Sequence, residues 1–465
     1  MLGSRALRLA LVVALVRAST ASHAVEFRIE SETLSDVYQL VTSGNDILTR
    51  NRLHQYLGLS LYDLAGDGEQ RWSTTTLMRF DGEFGLSQAT LERIDGVPAI
   101  ERARVSIQYA YVEAKDLLGG TFGFRLGRQL LADGLDYLMF DGGHLVFTTP
   151  WYFQVELDGG LEVKNDFFTL NDSMLEQDGT RFIENVDTLH QQTYLVGAAI
   201  QTSKLPHGQW RIAYRRMFEM GDNGALVQSE HIGGNFRQQI LDRLDLTGLM
   251  AWNLFNGRFD RIQAGARWRI TDWTELDAQY VRMLPSFAGD SIFNIFTAFP
   301  LNDANLRWRL LPTDSDRVYA GGMVRLFGNE AYTDGALIGN VKTVVSAWGA
   351  MAGWAHTFGT KGIDGSVSVD LSLESGYGGD RYLADVGGRW AIVPREWELD
   401  GRITAVSFDD DLQPNSHAFS FGYQLSGRYL IDKKAAFSLV VEHNMNRIQT
   451  QQLRVLALVD LDFWL

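Results

Sequence analysis

The chain has 465 residues, a formal net charge of −15 and no cysteine. The absence of cysteine excludes a disulfide framework and a thiolate zinc site. The acidic balance disfavours nucleic-acid binding, so no nucleic-acid partner is expected. With 46 glycines, 8 prolines and a 12% share of aromatic residues, the composition suits many strands and tight turns better than a helical enzyme.

The N-terminal segment has the pattern of a secretory signal peptide. Arginines precede an apolar run over residues 9–16, and Ser22 and Ala24 follow it. A cationic flank, a short apolar core and small residues at a cleavage site are typical of such peptides. We therefore predict a signal peptide over residues 1–24 and one domain over residues 25–465, with a buried N-terminal helix as the alternative. The chain contains no apolar run of the roughly 18 residues that suggest a membrane-spanning helix.

Apolar and polar residues alternate along much of the chain, which predicts β-strands. The pattern is clearest in residues 153–163, 262–270, 363–374, 419–429 and 455–465. Successive side chains of a strand point to opposite faces, so each segment has one apolar face and one face that carries charges. A soluble sandwich also alternates. The length of the segments, against an average of about 5–6 residues for globular strands, favours a membrane barrel.

Connector lengths give an independent indication of the same fold. Counting back from the C-terminus, short connectors such as 432–434 and 394–395 alternate with long ones such as 409–416 and 165–189. Bacterial outer-membrane barrels have short periplasmic turns and long extracellular loops. The last strand, which ends at Leu465, fits the periplasmic end of such a barrel.

The predicted fold is therefore an all-β transmembrane antiparallel barrel of the bacterial outer membrane. We expect about 18 strands, within a range of roughly 18–22, because single-chain bacterial barrels have an even number. The upper bound comes from four weaker strand candidates near residues 25–40, 143–149, 229–240 and 304–311. Membrane lipid and lipopolysaccharide are the expected surroundings.

Few motifs suggest chemistry. The segment Gly289–Ser291 resembles the nucleophile block of a lipase-like hydrolase, but no histidine has a spacing that marks it as the base, so a loop turn is preferred. The acidic run Asp409–Asp411 lacks a glycine-centred ligand loop and is interpreted as a solvated loop tip. Glycines between 119 and 127 are expected to thin the lumen wall. No enzyme activity, cofactor or metal site is predicted.

The strongest functional signal is arginine on the polar face of the strands. Arginine offers a planar fork that binds carboxylates, and rings of arginine are found in anion pores. Ion pairs that brace the lumen are the alternative interpretation. The predicted lumen-lining residues are Arg71, Arg79, Arg104, Arg125, Arg211, Arg215, Arg261, Arg267, Arg269, Arg317, Arg325, Arg389, Arg402, Arg428, Glu156, Asp158, Asp370 and Glu374.

One segment resembles a known family. In residues 122–142, Gly127-Arg128-Gln129 is followed by Gly134, Asp136, Asp141 and Gly142, which is similar to the alginate-export family of bacterial outer-membrane barrels. The resemblance implies an 18-stranded barrel that exports an anionic exopolysaccharide through an arginine-lined lumen. The match covers about twenty residues, and Arg128 falls on the outward phase, so we expect it at a strand end or in a loop.

The predicted function is export or passage of an anionic or polar solute, with secreted exopolysaccharide as the preferred one. Anionic polysaccharide and periplasmic export proteins are then the candidate partners. A general or anion-selective diffusion porin is the first alternative, and residues 165–189 are long enough to form its constriction. A structural barrel of an envelope machine, with a plugged lumen, is the second.

Overall fold

The chain forms one closed β-barrel. Its 22 strands make a single sheet in which chain neighbours pair antiparallel, and the first strand pairs with the last. Closure pairs the backbone of both terminal strands, which a membrane requires. The computed structural model describes residues 25–41, 47–65, 71–84, 103–135, 137–163, 192–203, 205–221, 224–284, 300–327, 345–360, 363–376, 379–393, 396–409, 418–432, 434–446 and 451–464.

The strands contain between 10 and 17 residues. One helical turn, α1, spans Leu117–Gly120. No helix in the described part of the chain is long and apolar enough to cross a membrane. In chain order the strands are β1 Glu26–Val41, β2 Ile47–Tyr62, β3 Trp72–Glu83, β4 Ala103–Asp116, β5 Phe122–Ala132, β6 Tyr137–Thr148, β7 Phe153–Glu162, β8 Thr193–Thr202, β9 Gly208–Gly221, β10 Gly224–Ile240, β11 Leu244–Asn253, β12 Arg258–Thr271, β13 Thr274–Met283, β14 Leu301–Leu310, β15 Asp316–Phe327, β16 Val345–Thr360, β17 Ile363–Gly376, β18 Asp380–Val393, β19 Trp397–Asp409, β20 Ala418–Asp432, β21 Ala435–Met445 and β22 Gln452–Trp464.

The antiparallel barrel is confirmed, but the preferred count of 18 strands is wrong. The count of 22 is the upper end of the expected range, because all four weaker candidates lie in strands: β1, β6, β10 and β14. Their alternation is weak for a physical reason. On β1, for example, Ser31, Thr33 and Ser35 occupy the face that is apolar elsewhere, and the pattern that marks a strand is lost.

The predicted connector rhythm is also confirmed. Residues 272–273, 361–362, 394–396 and 433–434 join strands at one end of the barrel. The longest connectors, residues 84–102, 163–192, 284–300 and 328–344, join strand ends at the other end of the barrel. We refer to these as the periplasmic and the extracellular end, following the usual arrangement of outer-membrane barrels.

The strand register separates two faces of the wall. On one face, polar side chains reach over an intervening strand: Nη1 of Arg325 on β15 donates to Glu374 on β17 at 2.7 Å. Such contacts mark the concave, inner face. The opposite face carries exposed apolar side chains such as Ile212, Leu306 and Leu425. The barrel is therefore polar inside and apolar outside, which is the pattern of a transmembrane barrel.

Aromatic pairs lie on the outer face near both strand ends. Trp210 stacks on Phe236 with ring centroids 5.2 Å apart near the periplasmic end. Tyr194 stacks on Phe218 at 5.6 Å near the extracellular end. Aromatic rings at two levels are the usual boundary of the apolar band of a membrane protein.

Candidate functional site

The register places the predicted lumen-lining residues together on the inner face. Those that belong to strands lie beside other inner-face residues on the adjoining strands. Arg267, for example, lies opposite Asp245 of β11 and Asp277 of β13. Arg71 immediately precedes β3. Arg104 is described by its backbone alone, opposite Asp81. The register shows that these residues share the inner face. Their role in the passage of a solute stays a prediction.

The inner-face arginines are paired with acids in an uneven way. The side chain of Arg402 is 62% exposed, whereas its partner Asp385 is 9% exposed at a nitrogen–oxygen distance of 2.8 Å. Arg389 and Glu398 show the same contrast, 59% against 19%. In these two pairs the acid is the more buried partner and the guanidinium is exposed to the lumen. Other inner pairs lack this contrast: Arg79 is 11% exposed beside Asp81 at 19%, and Arg28 is 31% exposed beside Asp462 at 40%.

Sequence reasoning missed several arginines of the same face. Arg307 and Arg309 on β14 alternate with Leu306, Trp308 and Leu310, so the signal was present, but the strand was held as a weak candidate. The others lie on strands with weaker or shifted alternation. The additional inner-face arginines are Arg28, Arg50, Arg52, Arg237, Arg258, Arg307, Arg309, Arg381 and Arg454.

The hairpin of β5 and β6 leaves the barrel wall on the side of β4 and enters the lumen, whereas β6 stays paired with β7 as far as Phe140 opposite Glu162. β5 pairs with β4 only up to Ala110 opposite Arg128, although both strands continue beyond that point. Above it, β5 pairs only with β6 among the described residues. We call residues 129–140 the inner hairpin.

The tip of the inner hairpin contacts a distant part of the inner wall. The carboxylate of Asp133 accepts a hydrogen bond from Nη2 of Arg215 on β9 at 2.8 Å, and Nη2 of Arg211 is 3.6 Å away. The side chains of Asp133 and Arg215 are only 6% and 4% exposed. Gly134 lies beside Leu249 of β11. The hairpin therefore crosses part of the lumen and narrows it.

An apolar cluster lies between the inner hairpin and the wall. Leu138 and Phe140 of the hairpin pack against Leu195 of β8 and Met217 of β9, with Leu131 alongside. All of these side chains are on the inner face by register. Burial of large apolar side chains stabilises a contact by about 1.5–3 kcal/mol each, so the cluster holds the hairpin against the wall.

A row of glycines permits the bend. Gly127, Gly142 and Gly160 lie opposite one another on β5, β6 and β7. Gly127 has φ 126°, which disfavours a side chain. A Cβ atom on Gly142 would collide with the backbone oxygen of Gly159. Glycine in a strand marks a bend or a close backbone approach, so this row lets three strands bend together.

Arg128 does not lie at a strand end or in a loop, so that expectation is wrong. It lies within β5 and opposite Asp141 of β6 on the outer face. Its Nε and Nη2 donate to the two carboxylate oxygens of Asp141, both at 2.8 Å. The outward orientation of Arg128 agrees with the alternation of side chains along the strand. The triplet 127–129 thus belongs to the bend of the wall rather than to the lumen surface.

Other sequence features do not contribute to the described site. Residues 289–291, 410–411 and 165–189 lie outside the described residues, and so do residues 1–24. The described narrowing comes from the inner hairpin. Within the described ranges, no group of three or more histidine, cysteine or acidic side chains could hold a metal ion.

Comparison with known proteins gives structural similarities only. No protein-family model and no curated protein matches the chain. Acinetobacter baumannii OccAB4 is 6% identical, covers 96% of this chain and 100% of its own, and has a TM-score of 0.44. The outer membrane protein opdK from Pseudomonas aeruginosa is 10% identical with coverages of 95% and 99% and a TM-score of 0.40. A BenF-like porin from Pseudomonas fluorescens Pf-5 is 7% identical with coverages of 94% and 99% and a TM-score of 0.41.

At such low identities and TM-scores, these structures do not indicate a solute for this protein. None of these three structures is named as an alginate exporter. The closed barrel, the apolar exterior and the aromatic belts define the class: an integral β-barrel protein of the bacterial outer membrane. Within that class, this chain is a 22-stranded barrel with a hairpin folded into its lumen.

Proposed function

We propose that the protein is an outer-membrane channel for the diffusion of small polar solutes, with a preference for anions. The observation that carries this proposal is the uneven exposure of its inner ion pairs. Arg267 is 51% exposed and its partner Asp277 22%, which repeats the contrast of Arg402 with Asp385. Positive groups that extend into a lumen raise the local concentration of anions, even in a chain of negative net charge.

The inner hairpin favours a small solute over a polymer. A polysaccharide chain would have to pass the inner hairpin, whose tip is joined by the contact between Asp133 and Arg215 to β9, further along the same side of the barrel. Small ions and metabolites can pass beside it. This observation supports the porin alternative over exopolysaccharide export. The proposal includes a signal peptide over residues 1–24, a mature barrel over residues 25–465 and no catalytic role.

A polar hollow of about 400 Å³ fits the proposed solute class. It lies on the inner wall of β17 to β20 and contains both Arg389 and Arg402. Ser366, Ser368 and Ser426 line it as well and supply hydroxyl groups, and Asp370, Asp385 and Asp400 supply carboxylates. Hydroxyl, guanidinium and carboxylate groups together can hydrogen-bond a small polar solute.

Charge reversal of exposed inner arginines tests this proposal. The variants Arg267→Glu and Arg402→Glu, reconstituted in planar bilayers, should lose anion preference, whereas Arg402→Lys should keep it because the charge remains. Tyr429→Phe, at an outer-face position, serves as the control. Unchanged selectivity in both Glu variants would contradict the proposal, and a folded protein without any conductance would favour a structural barrel.

A further inference from the structure

We propose that the barrel has a lateral portal between β4 and β5, through which amphipathic acids pass between the lumen and the outer leaflet of the membrane. Such molecules have an apolar chain or ring and one anionic group. This lateral route is separate from the diffusion of small polar solutes along the barrel axis. It involves the wall at β4 and β5 and does not depend on the exposed inner arginines.

The first observation is the split in the wall. Residues 103–109 of β4 pair with β3 on one side. On the side of β5, none of the described residues pairs with them, because the inner hairpin has turned into the lumen. Unpaired backbone groups are costly in contact with hydrocarbon, so non-barrel geometry at membrane depth is tolerated where it borders water or protein. The split therefore joins the aqueous lumen to the outer face.

The second observation is the depth of the split. It begins at Arg128, six residues above Phe122, whose ring belongs to an aromatic group with Phe124 and Phe147 near the periplasmic end. At a rise of about 3.3 Å per residue and a tilt of about 40°, six residues correspond to about 15 Å. The apolar band of such a barrel is about 25 Å tall. The split thus opens at the depth of the outer leaflet.

The third observation is the ion pair at its lower edge. Arg128 and Asp141 lie on the outer face, where an isolated arginine near the bilayer midplane costs about 2–4 kcal/mol. Nη1 of Arg128 also donates to the backbone oxygen of Ile107 at 3.2 Å, which satisfies an acceptor of the free β4 edge. The pair marks a place where polar surface reaches the lipid-facing side.

The edges of the split suit an amphipathic molecule. Val105 and Ile107 are exposed on the outer face of β4, at 62% and 41%, and can contact an acyl or aryl group. The guanidinium of Arg128 at the lower edge is held by Asp141 and Ile107, and an acid group contacts it by taking the place of the Asp141 carboxylate. A purely polar solute gains nothing from this route, since it would leave the aqueous lumen for hydrocarbon.

Fluorescence quenching in lipid vesicles tests the portal. Because the chain has no cysteine, Tyr109→Cys on the inner face of β4 can be labelled alone with bimane. The probe is dodecanoate brominated on its chain and added to the vesicle bilayer. The portal predicts quenching at Tyr109→Cys. Met351→Cys, on the inner face of the distant β16, is the control and should not be quenched.

A disulfide that closes the split gives the second measurement. A disulfide between Ile107→Cys and Leu130→Cys would tie the free β4 edge to the inner hairpin, and it should abolish quenching at Tyr109→Cys with little change in axial ion conductance. A disulfide between Val112→Cys and Leu126→Cys, directly opposite in the intact ladder, should leave quenching unchanged. Absence of quenching at Tyr109→Cys, or equal quenching at Met351→Cys, would overturn the portal. Neither result would bear on anion preference, so the two proposals fail separately.

Discussion

The carboxylate of Asp133 accepts a hydrogen bond from Arg215 at 2.8 Å and thereby joins the tip of a hairpin to a strand that follows 82 residues later. Both side chains are almost fully buried in the lumen. Together with the apolar cluster of Leu138 and Phe140 with Leu195 and Met217, this contact holds the inner hairpin against the inner wall, where it narrows the conduit.

Removal of the Asp133 carboxylate should open the lumen. Breaking a buried ion pair costs about 3–5 kcal/mol, since the remaining charge loses its partner. In Asp133→Asn we expect weaker attachment of the inner hairpin and a larger or more variable single-channel conductance. Asp277→Asn removes an inner carboxylate away from the hairpin and is the matched control. Identical conductance in wild type and Asp133→Asn would show that the hairpin does not limit passage.

A side chain at the glycine row should impair assembly. In Gly142→Ala the Cβ atom collides with the Gly159 backbone, and overpacking of this kind costs about 1–3 kcal/mol or more. We expect a lower melting temperature of the folded band in heat-modifiability gels. In Gly322→Ala the nearest atom to the new Cβ is 3.5 Å away, so that variant should behave as wild type. Equal melting of the two variants would contradict a role for the row in the bend.

Loss of the C-terminal residues should prevent closure. Phe463 lies opposite Ile29 and Trp464 opposite Arg28 in the ladder that joins β22 to β1. The Arg28 guanidinium also lies 5.2 Å from the Trp464 ring. Deletion of residues 463–465 removes these interactions, and we expect little folded barrel in outer-membrane fractions.

The single substitution Trp464→Phe keeps an aromatic ring and the strand length, and its barrel yield should stay near that of wild type. A normal yield of the deletion variant would show that closure does not need the last strand residues.

The alternation of apolar and polar residues made the barrel fold predictable. Where the alternation is weak, the strands were left out of the preferred count. The segment 363–374 has a strict two-residue period because its outer side chains contact lipid and its inner ones contact water. On β1, polar residues on the outer face satisfy one another, as Thr33 does with Gln55, so the period weakens. The strand count therefore depended on segments whose period is weak.

The inner hairpin could not be predicted from the period. Residues 130–132 and 138–140 are apolar on both faces, so the period is lost there, but its loss does not show where the segment lies. The end of the β4 pairing and the contact of Asp133 with Arg215 place it on the inner wall. The glycines at 127, 142 and 160 were a local signal, but their alignment across three strands requires the register. Arg128 belongs to the triplet that carries the family resemblance, and its contacts lie on the outer face, in agreement with its outward phase.

The most direct test of the account is the reversal potential of the wild-type protein in a planar bilayer under a potassium chloride gradient. The exposed arginines predict an open channel whose reversal potential shifts towards the chloride equilibrium potential. A reversal potential shifted towards that of potassium, or a folded barrel that conducts no ions, would contradict an anion-preferring conduit.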